Sequence, residues 1–207
     1  MDYKMLFSPM KIGNCEIKNR IVMAPMCLGF GQFNGDATEA MINYYEERAK
    51  GGTGLIITEI TRVNDKTSAN RAMSKKEIKK IISQFGDAAL RVKKAGCDGV
   101  ELHASHGYLI QQFLSPATNT RTDEYGGSLE NRMRFLMEII DDVREKCGTD
   151  FPLIVRLTVD EMYAKIGKPG VGYDLTYGVK MAKMLNDKGI DAIDVSSASY
   201  DTFNYWL

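Results

Sequence analysis

The chain has 207 residues, 44% hydrophobic and 26% charged, and its 27 basic side chains balance 27 acidic ones. That is the profile of a globular protein long enough for a sizeable core, and zero net charge argues against nucleic acid or an anionic membrane as a partner. No apolar run approaches the ~20 residues that span a bilayer. The N-terminus has no signal-peptide pattern, and Cys15, Cys27, Cys97 and Cys147 form no CxxC pair, so a reduced, cytoplasmic protein with no metal site in this chain is expected.

In chain order, a first apolar strand, NRIVMAPMC, ends in Pro25, Met26 and Cys27. A helical stretch, MINYYEERAK, stops at Gly51 and leads into the apolar strand GLIITE, which ends in Thr58 and Glu59. The next helix starts at Ser74, with Glu77 completing a capping box in which each side chain satisfies an orphan N–H of the other. Ile78, Ile81, Ile82, Phe85, Ala89 and Val92 then follow helical spacing, which makes one apolar stripe. Lys93 and Lys94 suit the negative end of the helix, and Gly96 the left-handed position after it.

The strand GVELH follows and ends in His103. The same grammar recurs twice: a helix after Ser128 stopping at Gly148 before PLIVRLTV with Arg156, and a helix after Asp174 stopping at Gly189 before DAIDVSS with Ser196 and Ser197. Helices alternating with strands imply a parallel sheet. A dinucleotide-binding doubly wound sheet should carry GxGxxG after its first strand, and none is present. Polar groups at the C-terminal end of every strand favour a (β/α) barrel, whose site is assembled from many strand ends.

The chain's only two histidines, His103 and His106, leave one strand together, with Tyr108 close behind. Two imidazoles turned into one pocket can donate hydrogen bonds to a carbonyl or carboxylate oxygen. A neighbouring phenol can supply a proton, and Arg156 can stabilise negative charge. The combination points to reduction or isomerisation beside a carbonyl. The plain structural alternatives are a half-buried Tyr108, a small core thiol at Cys27, and an ion pair of Arg156 with Glu59 or Asp160.

The segment HASHGYLIQQFLSPATNTRTDEYGGSLENRMRF closely resembles the signature of the Old Yellow Enzyme family of FMN-dependent oxidoreductases. The start, LFSPMKIGNCEIKNRIVMAPM, is similar to that family's N-terminal hairpin and first barrel strand. The ending YDTFNYWL resembles the branch of 2-enoate and 2,4-dienoyl-CoA reductases. The resemblance implies an incomplete TIM barrel of five to six parallel strands, with residues 1–207 as one truncated FMN-binding domain. It implies an ene-reductase that passes hydride from NAD(P)H through FMN to an α,β-unsaturated carbonyl, carboxylate or thioester.

By the same resemblance His103 and His106 hold the substrate oxygen and Tyr108 protonates the α-carbon. Pro25, Met26, Cys27, Ile60 and Arg156 contact FMN, with Arg156 favouring the reduced, anionic ring. An iron–sulfur cluster is implied only if a downstream region supplies it. RTDEYGGSLENR is expected to serve structure: Gly126 and Gly127 turn the chain, and Ser128 caps the next helix.

Two departures from the family pattern stand out. The chain passes from TEITRVNDKTSANRAM almost directly into the helix at Ser74, where the family has a strand carrying a flavin-binding glutamine. The last two family strands, with the FMN phosphate contacts, are expected to be missing as well. Unpaired strand edges make the alternative a non-catalytic barrel fragment, one that self-associates or completes a barrel with a partner chain.

Overall fold

The computed structural model describes residues 3–32, 36–63 and 71–202. They group into two compact units, Met1–Asp65 and Lys66–Leu207.

The first unit opens with an antiparallel hairpin of β1 (Met10–Ile12) and β2 (Cys15–Ile17). Strands β3 (Val22–Met23) and β4 (Leu55–Ile56) pair in parallel, Val22 with Leu55 and Met23 with Ile56. Between them lies α1 (Glu39–Lys50), capped by Thr38, whose hydroxyl accepts the Met41 N–H. Asn19 ties the entry of β3 to the exit of α1: its Nδ2 donates to Gly52 O at 2.8 Å, and its Oδ1 accepts the Ile21 N–H. The left-handed residue after α1 is Gly52 (φ 96°); Gly51 is still right-handed (φ −65°). The helix ends at Lys50 with Gly51 as its cap, the expected stop, and the left-handed turn comes one residue later. No residue of α1 is fully buried, so this unit has little core of its own.

The second unit contains the main core. Strands β5 (Val100–Ala104), β6 (Leu153–Thr158) and β7 (Ala192–Ser196) form a parallel sheet in that order. Helices α2 (Lys75–Lys94), α3 (Leu109–Leu114), α4 (Leu129–Cys147) and α5 (Leu175–Asp187) connect or flank them. The capping box of Ser74 and Glu77 forms as the sequence predicts, and Gly96 is left-handed (φ 88°). Strand alternation sends Leu102, Ala104, Leu153, Val155 and Leu157 into one cluster with Ile78, Ile82, Met133, Leu136, Ile139, Ile140, Met181 and Leu185 from the helices. At roughly 1.5–3 kcal/mol for each large apolar side chain removed from water, this layer dominates the stability of the unit. Helices cover this one face. The other, carrying Glu101, His103, Arg156 and Asp194, is only half-buried and is the face a barrel turns inward.

The RTDEYGGSLENR segment is a brace. Arg121 grips Asp123 and donates to Met73 O at 2.6 Å, and the Tyr125 hydroxyl donates to Glu138 at 2.8 Å. Arg132 donates to the carbonyls of Leu114 and Gly127. A side chain on Gly126 would collide with the Arg121 carbonyl, which is why glycine is needed there.

The five parallel strands expected are present, but they do not form one sheet. They divide into the β3–β4 pair and the β5–β6–β7 triple. The first pair is short, and no strand among the described residues joins β4 to β5. Residues 64–70 of the predicted departure and the last five residues of YDTFNYWL lie outside the described residues.

Candidate active site

The second unit gathers His103, His106 and Tyr108. His103 is on β5, and the chain then makes a tight turn in which the Tyr108 N–H donates to Ser105 O at 3.2 Å. The His103 ring lies 5.1 Å from that of His106, edge-on, and 5.2 Å from that of Tyr108. Tyr108 immediately precedes α3 and is 47% exposed, so solvent reaches the residue at the edge of the cluster.

His106 has a left-handed backbone (φ 60°), rare outside glycine. Its amide donates to Thr158 Oγ1 at 3.3 Å, and its Nε2 is 2.7 Å from Ser196 Oγ. Gly107 is also left-handed (φ 79°), and its backbone lies so close to Tyr200 that a Cβ would clash. Its N–H donates to Gln111 Oε1 at 2.6 Å. Behind the turn, Gln111 and Ser115 donate to the buried carboxyl of Glu161, which also accepts the Tyr173 N–H. Burial pushes the Glu161 carboxyl up, against those hydrogen bonds.

Strand register aligns His103 with Arg156 and Arg156 with Asp194. Arg156 Nε is 3.4 Å from Asp194 Oδ2. Asp194, on the neighbouring strand, is thus an ion partner of Arg156. Burial, then the His106 and Arg156 charges, lowers the His103 pKa to about 4. Burial and Arg156 also lower that of His106, against the pull of Asp194. Both imidazoles are therefore neutral near neutral pH, and each has one donor and one acceptor nitrogen. One layer below His103, Glu101 is pushed up to about 7 by burial and by Asp194.

The first unit holds the other predicted residues. Met26 and Cys27 follow β3 and are exposed, and Ile60 follows β4 and is 51% exposed. Pro25 lies in the same loop. Glu59 is buried. Its Oε2 accepts the N–H groups of Leu28 and Gly29 at 3.0 and 2.8 Å, and its own N–H donates to the Tyr45 hydroxyl. Glu59 thereby fixes the loop that presents Met26 and Cys27.

Gln111, Thr158, Glu161 and Asp194 support the site and were not singled out from sequence; Ser196 was marked there only as a polar strand end. Alternation along DAIDVSS places Asp194 and Ser196 on one face, but only the register shows what they meet.

These are the parts of a (β/α)-barrel wall with its polar site at the strand ends. The NADH:flavin oxidoreductase / NADH oxidase family matches the chain over residues 5–71 and 64–205. The chain belongs to that family. It is 34% identical over 285 residues to a cinnamate reductase of Clostridium sporogenes, covering 99% of this chain and 43% of that protein. An NADPH dehydrogenase of Bacillus cytotoxicus is 35% identical over 256 residues, covering 94% of this chain and 72% of that protein. Among solved structures, a 2-naphthoyl-CoA reductase in complex with 2-naphthoyl-CoA superposes with a TM-score of 0.88 at 26% identity, covering 97% of this chain and 41% of that one.

The chain thus spans about two fifths of the cinnamate reductase. An alignment of 285 positions against a chain of 207 means that the relative carries residues within the aligned region that have no counterpart here. The two family-matched stretches meet at residues 64–71, at the predicted departure. No helix among the described residues is long and apolar enough to cross a membrane.

Proposed function

We propose that the chain carries the substrate-activating half of an FMN-dependent ene-reductase, acting on an α,β-unsaturated carbonyl, carboxylate or thioester. The observation that carries this reading is the cluster of His103, His106 and Tyr108 rings at the C-terminal end of β5. Two neutral imidazoles offer hydrogen bonds to a substrate oxygen without repelling each other as a charged pair would. Their donors stabilise the negative charge that gathers on that oxygen as the double bond is reduced. The Tyr108 hydroxyl delivers a proton to the α-carbon.

The donor chemistry fits FMN. Arg156 and His103 stand side by side in register, and a guanidinium beside the pyrimidine edge of a flavin favours its reduced, anionic form. In the first unit, Pro25, Met26, Cys27 and Ile60 are the residues proposed to touch the ring, and the fixed loop at Glu59 suits that role. When bound, FMN supplies the hydride that NAD(P)H provides.

The second reading is a barrel fragment without catalysis, completed by a second copy or a partner chain. It is favoured by the separate β3–β4 and β5–β6–β7 sheets and by Val195, an outward side chain of β7 that is 67% exposed.

Flavin retention separates the two readings. The purified chain is mixed with FMN, desalted, and its visible spectrum recorded; NAD(P)H consumption is then followed with cinnamate or an enone. The first reading expects bound flavin and consumption that depends on the acceptor. A colourless, inactive chain overturns it and leaves the second. With flavin bound, replacing His103 and His106 together by alanine should abolish the spectral shift that a phenol ligand induces.

A further inference from the structure

We propose that Ser196 is a positioning residue that fixes the tautomer of His106: its hydroxyl donates to Nε2, places the ring hydrogen on Nδ1, and leaves that N–H for the substrate oxygen. The use of the Nδ1 hydrogen rests on the function proposed above; the tautomer itself does not.

Thr158 and Ser196 are direct register partners at the ends of β6 and β7. Thr158 accepts the backbone N–H of His106, and Ser196 meets its ring. One row of the sheet thus holds both the left-handed backbone and the imidazole of the same residue. The Gln111 bond to Gly107 and the close approach of Tyr200 fix the next residue of the turn. The ring has little freedom to choose another partner.

The direction of the bond follows from the groups available. At 2.7 Å the contact is a close hydrogen bond. Among the described residues, the Ser196 hydroxyl has no other hydrogen-bond acceptor. Burial and the Arg156 charge hold the imidazole neutral, so Nε2 can accept only if Nδ1 carries the hydrogen. His103 stands edge-on to the ring, and Arg156 and Asp194 are the charged groups nearest in effect. None of them competes for Nε2 among the described hydrogen bonds.

The test is a long-range proton–nitrogen correlation spectrum of the full chain, labelled with nitrogen-15, at neutral pH. With two histidines in the sequence, one His103→Gln spectrum assigns both rings. His106 should show the Nδ1–H pattern, the opposite of the tautomer free histidine prefers in water. Ser196→Ala should lose it, and Ser196→Thr, which keeps the hydroxyl, should restore it. An Nε2–H pattern in the wild-type chain, or an unchanged pattern in Ser196→Ala, overturns the proposal. Should Ser196→Ala not fold, the wild-type spectrum still decides. Flavin retained alongside an Nε2–H ring sinks this proposal alone, whereas the expected tautomer in a chain that retains no flavin sinks the function and spares it.

Discussion

Gln111 accepts the amide hydrogen of Gly107 at 2.6 Å, so a side chain of α3 closes the turn that presents His106 and Tyr108. Its Oε1 also accepts from Thr158 Oγ1, and its Nε2 donates to Glu161, both at 3.3 Å. Gln111 is fully buried. Gln111→Met keeps the volume and removes every one of these bonds, leaving a buried amide and a buried carboxyl short of partners. The loss should be about 1–3 kcal/mol. It should appear as a lower urea midpoint with an unchanged slope, together with displaced ring resonances of His103 and His106.

His103 should remain neutral far below the usual histidine range. Its folded pKa is about 4 against an ordinary 6.5, chiefly through burial. A base depressed in the folded state costs stability in acid, because the unfolded chain takes up a proton that the folded chain refuses. The contribution is complete above 6.5 and falls away as pH drops toward 4. Urea midpoints measured across this window should fall more steeply for the wild-type chain than for His103→Gln. A ring titration by proton NMR should find the midpoint near 4.

Glu101 should act with the opposite sign. Burial, then the Asp194 charge, raises its pKa from 4.5 to about 7, with Arg156 opposing. Its Oε2 is buried without a hydrogen-bond partner. A carboxyl raised in the folded state contributes fully below 4.5 and loses that contribution as pH rises through about 7, since the unfolded chain ionises first. Glu101→Gln removes the titration and keeps the shape. The variant should gain stability over the wild type as pH rises from 4.5 to about 7 and keep that gain above it. A difference that stays constant with pH would contradict the assignment.

How much was legible from sequence follows the range of each interaction. The capping box of Ser74 and Glu77, the Ser128 cap and the left-handed Gly96 all arise within a few residues, and local spacing reveals them. The buried stripe of α2 was equally plain, because helical periodicity encodes it. The proximity of His103, His106 and Tyr108 was visible because one short turn joins them. Asp194 as an ion partner of Arg156 depends on the β6–β7 register, which no local pattern carries. Glu161 lies 46 residues from Ser115 and 50 from Gln111, and nothing nearby in the chain marks it as their acceptor. The division of the five strands into two sheets is likewise a matter of pairing. β3 and β4 are apolar enough to be recognised, but each pairs over only two residues.

The Arg156–Asp194 pair allows stability and cofactor binding to be separated. The two side chains face each other across adjacent strands at 3.4 Å, and both are largely buried. Arg156→Met strands the Asp194 carboxylate without its cation, the change that makes broken buried pairs costly. In an Asp194→Asn background the same substitution should cost less, with a coupling of roughly 0.5–3 kcal/mol in a double-mutant cycle. If the guanidinium serves only as a partner for Asp194, flavin retention should follow stability through all three variants. If it also binds the flavin, Asp194→Asn should retain FMN while Arg156→Met and the double variant lose it, even where the double variant is as stable as Asp194→Asn. Urea midpoints and visible spectra on the same three proteins decide between these outcomes.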